Sequence, residues 1–140
     1  MQPKKQFSKT FEASLSILHE VLQWVVALIK EEKILPAEIK KVEIALEEAI
    51  VNIISYAYKD KKGAIELIYS VDTQGWIELT LKDNGPPFNP RVKDRPLEHS
   101  TSIEECQIGG LGIPFIHRLM DVVEYRREAE VNVLTLKKKL

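Results

Sequence analysis

One cysteine, Cys106, is all the sulfhydryl chemistry available in 140 residues, so no internal disulfide can form and the fold must rely on its core. With only three histidines besides, no Cys/His cluster has zinc spacing. Long apolar runs are missing as well. The longest, Val25 to Ile29, is far too short to cross a bilayer, and the start MQPKKQFSKT lacks the apolar segment of a signal peptide. A cytoplasmic protein with no membrane attachment is the expectation. Net charge is nearly absent: 20 basic against 21 acidic residues leave −1, which gives no electrostatic reason to expect nucleic acid or anionic lipid as a partner. No GxxxxGK[ST] occurs, and neither does HRD or DFG, which excludes a P-loop nucleotide site and a eukaryotic-type protein kinase.

What remains is ordinary for a globular chain: 44% hydrophobic and 29% charged residues, at a length that suits one domain over 1–140. Residues Lys5 to Ala13 alternate loosely and predict an edge strand. Leu15, Leu18, Leu22, Val25 and Ile29 recur at helical spacing, with Ser14 placed to cap the start. Pro36 suits the first position of a second helix, whose buried stripe would be Ile39, Val42, Leu46, Ala49, Ile50 and Ile53. Ala64 to Val71 and Trp76 to Lys82 predict a hairpin turning at Asp72 to Gly75. A stretch from about Pro86 to Ile108 has no periodicity and predicts a lid or binding loop. A third helix opens on glycines near Gly110, and Val122 to Arg127 with Val131 to Leu136 predict a second hairpin. The order β α α β β α β β implies an α/β two-layer sandwich: a mixed, mostly antiparallel sheet of about five strands with three helices on one face.

Three stretches invite chemistry. In LEEAIVNIISYAY, Glu48 and Asn52 stand one helical turn apart and so share a face. Asn is a poor interior helix residue, and an amide oxygen is a hard ligand suited to Mg²⁺, with a neighbouring carboxylate able to orient a hydroxyl beside a bound phosphate. A helix edge with Glu48 solvated and Asn52 capping a neighbour fits the same letters. Asp83 ends a strand two residues before Gly85: a turn-capping aspartate by default, or a carboxylate accepting from an adenine amino group with Gly85 leaving room for the ring. Gly109, Gly110, Leu111 and Gly112 open the third helix, where backbone N–H groups and the helix dipole attract phosphate. Close helix-to-sheet packing accounts for GGLG equally well.

Taken in order, acid and amide on a helix, DxG after a strand, a lid, and GxG opening a helix resemble the GHKL ATPase superfamily. EAIVNIISYAY, DNGPPFNP and GGLGIPFIHRLMDVVEYRR look most like the small, stand-alone anti-sigma-factor serine kinases of bacteria. The resemblance implies a Bergerat-type ATP-binding fold, with ATP and Mg²⁺ as cofactors. Carried over motif by motif, it implies Glu48 as catalytic base, Asn52 as Mg²⁺ ligand, Asp83 and Gly85 at the adenine, and Gly110, Leu111 and Gly112 at the phosphates. It further implies a homodimer that holds a sigma factor and phosphorylates an anti-sigma-factor antagonist on serine. Two departures stand out. Ile108 occupies the place of an arginine that the best-known members carry before the second glycine box, and Tyr56 and Ala57 stand where the sporulation-type members have His and Gly. The alternative is therefore a nucleotide-binding partner-switching module without efficient transfer.

Overall fold

Every second residue of the central hairpin is apolar, and that period decides which side of the sheet is covered. The computed structural model describes residues 3–58, 62–87 and 112–140. In it β2 (Ala64–Asp72) and β3 (Trp76–Asp83) form the expected hairpin. Ile65, Leu67, Tyr69 and Val71 of β2 are buried, with Ile77, Leu79 and Leu81 of β3 beside them. The first strand, β1 (Pro3–Glu12), lies at one edge and β4 (Val122–Glu128) at the other, with β5 (Val131–Lys139) between β3 and β4. The expected mixed sheet narrows to a purely antiparallel one among the described residues. The reason is the order β1-β2-β3-β5-β4: β4 enters one place beyond β3, and β5 then fills the gap antiparallel to both. Ala129 and Glu130 turn β4 into β5 at positive φ, 49° and 66°, the two-residue primed turn that matches strand twist.

Helices α1 (Leu18–Lys30), α2 (Pro36–Asn52) and α3 (Gly112–Leu119) cover the apolar face, and their buried residues join those of the strands in one core. Ser14 does cap a helical start, but of a short 3₁₀ turn over Leu15–Ile17, where its Oγ accepts from the Ser16 N–H at 3.2 Å. That tighter turn leaves Leu15 62% exposed, so the stripe of α1 is Val21, Leu22, Val25 and Ile29. Pro36 opens α2 as expected, and all six residues of its predicted stripe are buried. Each such Val, Leu or Ile contributes about 1.5–3 kcal/mol when fully covered. Beyond Asn52 the chain does not continue as α-helix. Ile53–Tyr58 form a π-helical turn, a local widening that no periodicity in the sequence announces.

The turn at Asp72 carries a prediction. The Asp72 carboxylate accepts from the backbone N–H of Gln74 at 2.8 Å and of Trp76 at 3.0 Å, and the Trp76 bond above all holds its pKa below the ordinary value. A depressed carboxylate stabilises the fold above its unfolded pKa and loses that contribution as pH falls through the folded value. Asp72→Ala is thus expected to lower the melting temperature at pH 7 and to have no effect in acid below the folded pKa. Thermal melts across pH check this, and an effect independent of pH would contradict it.

Candidate functional site

One row of side chains crosses the covered face through Phe11, Ile65, Asp83, Asn132 and Arg127, and its apolar pattern fails at the last three places. Asp83 and Asn132 are nonetheless buried, 5% and 4% exposed. Burying such groups unpaired costs about 1–3 kcal/mol each, and here they pair with one another. Asp83 Oδ1 accepts from Asn132 Nδ2 and from the Gly85 N–H, both at 2.9 Å. Asn132 Nδ2 also donates to the Pro86 carbonyl at 2.9 Å and the Gly85 carbonyl at 3.3 Å. Its Oδ1 accepts from the Tyr125 hydroxyl at 2.6 Å and from Arg127 Nη1 at 2.9 Å. Arg127 Nη1 reaches the Gly85 carbonyl as well, at 2.9 Å. Asp83 is therefore a turn-capping aspartate, with one oxygen only engaged among the described residues.

Helix α2 supplies the facing wall. Asn52, its last residue, is 4% exposed, and among the described residues its Nδ2 has no hydrogen-bond partner. A buried amide left so costs about 1–3 kcal/mol. One turn earlier Glu48 is half-buried, and desolvation first, then the charge of Glu47, pushes its carboxyl above the usual range. Asn52 and Asp83, far apart in sequence, line one cavity together with Ala49, Ile53, Ile116, Tyr125, Asn132 and Leu134. Its volume of about 20 Å³ admits roughly one water, so a planar ring would enter by displacing a wall.

The π-helical turn fixes where the Asp83 loop begins. Tyr58 Oη accepts the Asn84 N–H at 2.8 Å and donates to the Ala64 carbonyl at 2.9 Å, and burial pushes its phenol up. Gly85 packs on the same turn: a Cβ there would sit 2.8 Å from both Cα and O of Ala57. The bare backbone at Gly85 thus serves this contact, a different reason from the ring clearance expected of it. Because the obstacle is backbone, Gly85→Ala is expected to cost about 1–3 kcal/mol as overpacking. Chemical denaturation would register it as a lower midpoint; an unchanged midpoint would show the loop free to shift.

Of the residues singled out from the sequence, Glu48, Asn52, Asp83 and Gly85 converge on this end of the sheet. Gly112 begins α3, while Gly110, Leu111, Ile108 and most of the predicted lid lie outside the described residues. Asn132, Arg127, Tyr125 and Tyr58 were not anticipated. Asn132 had a signal: asparagine is depleted in strands, yet it interrupts the run VNVLTL. Among the described residues no group of three or more His, Cys, Asp or Glu could hold a metal, and no helix is long and apolar enough to cross a membrane. A cation at Asn52 would draw its remaining ligands from substrate phosphates and water, as Mg²⁺ commonly does.

Residues 11–138 match the family described as the histidine kinase-like ATPase domain. The chain belongs to that family. Among the histidine kinase-like ATPases, the serine-protein kinases RsbW of Bacillus cereus (strain AH820) and Bacillus anthracis are each 32% identical to it over 103 residues. The match covers 71% of this chain and 64% of each relative, so the chain spans somewhat less than two-thirds of these relatives' length. A crystal structure of the RsbU and RsbW domains of a Mycobacterium tuberculosis protein superposes with a TM-score of 0.70 at 16% identity, covering 99% of this chain and 33% of that one. A blue-light activated histidine kinase of Erythrobacter litoralis follows at 0.54 and 17%, covering 74% and 31%. These two likenesses concern the fold, and the α/β sandwich with a five-stranded sheet expected from the sequence is the one they share.

Proposed function

We propose that this chain is an ATP-dependent serine kinase that also holds a sigma factor, with an anti-sigma-factor antagonist as the phosphorylated partner. The observation that carries the nucleotide reading is one cavity lined both by a buried amide at Asn52 and by a carboxylate at Asp83, where among the described residues the amide nitrogen is unpaired and the carboxylate is engaged on a single oxygen. Asp83 Oδ2 would accept from a purine amino group. Asn52, turned to present its oxygen, would hold Mg²⁺, and Gly110, Leu111 and Gly112 would offer backbone N–H groups to the phosphates. Bound Mg²⁺ would neutralise the triphosphate and the charge that develops on the transferred phosphoryl. Glu48, made more basic by burial, would accept the proton of an incoming serine hydroxyl. The name of the Bacillus relatives, serine-protein kinase, supports the kinase, and the resemblance of the motifs supports the sigma factor, the antagonist, a homodimer and a cytoplasmic setting.

Ile108 in place of an arginine favours the second reading, a nucleotide-binding module that switches partners without efficient transfer. The deciding experiment incubates the protein and a candidate antagonist with γ-labelled ATP. Acid-stable label on the antagonist supports the serine kinase. Acid-labile label on the chain itself would point instead to exposed His19 on α1. Partner capture with no label, from either the parent or Ile108→Arg, would retire the kinase and leave the module.

A further inference from the structure

The Asn132 amide can sit in one orientation only. Three acceptors surround its nitrogen, the Asp83 Oδ1 and the carbonyls of Gly85 and Pro86, and two donors meet its oxygen, Tyr125 Oη and Arg127 Nη1. Turning the amide over would set its oxygen against three acceptors and its NH₂ against a guanidinium, and Arg127 has no acceptor capacity to offer in return. The loop after β3 on one side and the β4–β5 hairpin on the other therefore dictate which way the amide points.

That polarity passes to Asp83. Its Oδ1 is filled by two donors, Asn132 Nδ2 and the Gly85 N–H, and among the described residues no donor reaches Oδ2. With Oδ1 filled, Oδ2 is the oxygen that Asp83 presents, and a carboxylate oxygen accepts. An acceptor-only group facing the cavity suits the amino substituent of a 6-aminopurine and opposes the carbonyl of a 6-oxopurine, where two acceptors would meet without a proton between them. Arg127 does this from outside: it is exposed, does not line the cavity, and bonds both Asn132 and the Gly85 carbonyl.

We infer that Arg127 and Asn132 are positioning residues that fix the base preference of the nucleotide site, Arg127 by orienting the Asn132 amide and Asn132 by holding Asp83 as a pure acceptor. The inference deepens the ATP reading and rests on it.

The test is the ratio of ATP to GTP affinity, measured by displacement of a fluorescent nucleotide in excess Mg²⁺ for the full chain and three variants. Asn132→Asp replaces the Nδ2 donor with a second carboxylate oxygen set against Asp83 Oδ1, so the contact that leaves Oδ2 facing the cavity is lost. It is expected to cut the ATP-over-GTP ratio about tenfold or more, mainly by weakening ATP relative to GTP. Arg127→Met leaves the core untouched and removes one of the two donors that hold the amide oxygen, so the ratio should fall about three- to tenfold. Arg127→Lys, which keeps a charged donor, should recover part of it. A loss of ATP and GTP affinity by equal factors would make the pair mere structural support and overturn the inference, as would a ratio left unchanged in Arg127→Met. A parent with no preference for ATP would overturn the ATP reading and this inference together, whereas a parent that prefers ATP alongside variants that do so equally would overturn this inference alone.

Discussion

Glu48→Gln is expected to bind Mg·ATP within about twofold of the parent and to transfer phosphate about 10²–10⁴-fold more slowly, the usual contribution of a positioned general base. The substitution preserves shape and removes one thing, the ability to take a proton. Glu48 is suited to that task because burial already makes its carboxyl harder to ionise than an exposed one. The same shift has a sign in the pH profile. Transfer that depends on ionised Glu48 should fall as pH drops through a value above the ordinary glutamate range of about 4.3, and Glu48→Gln should flatten that limb. Single-turnover labelling of an antagonist separates the two quantities. Equal rates for variant and parent would remove Glu48 from the reaction, and a matching loss of ATP affinity would make it a binding residue.

Asn52→Ala should move two measurements in opposite directions. Its Nδ2, unpaired among the described residues, costs the fold about 1–3 kcal/mol, so removing the amide should leave the melting temperature equal to or above that of the parent, less the small cost of the vacated space. Affinity for ATP in the presence of Mg²⁺ should nevertheless drop by more than the 10–100-fold that changes to the outer partners of a metal typically cost. Calorimetry with and without Mg²⁺ reads both effects. An unchanged Mg²⁺-dependent affinity would sink the assignment, and a lost fold would show the amide to be structural. Stability gained where binding is lost is the pattern of a residue kept for its function.

The parts of the site that were legible in the sequence are those whose partners lie within one turn or one short loop. Glu48 and Asn52 share a helical face by spacing alone, and Asp83 with Gly85 marks the end of a strand by its turn chemistry. The six-residue stripe of α2 and the first hairpin were legible for the same reason: one period, sustained. The mixed sheet was not corrected by any local signal, since strand order depends on where β5 inserts. Nor was the bond between Asn132 and Asp83 legible, because it exists only in the register that sets β3 against β5. Gly85 shows a third case. The residue was singled out, yet its obstacle, Ala57, comes from a widened turn that propensity does not encode.

That widened turn also sets a tolerance on length. It follows directly on Asn52, which lines the cavity, and ends on Tyr58, whose hydroxyl accepts the Asn84 N–H. An α-helix carries 3.6 residues per turn, and a π turn takes up close to one more, so the segment behaves as a helix with one residue spliced in. Deleting one residue from Ile53–Tyr58 would take out the spliced residue and return the helix to its ordinary pitch with Tyr58 in nearly the same direction. Adding one to the ordinary helix beyond it would instead turn Tyr58 by about 100° away from the loop it anchors, and Asn52 and Asp83 would no longer face the cavity in phase.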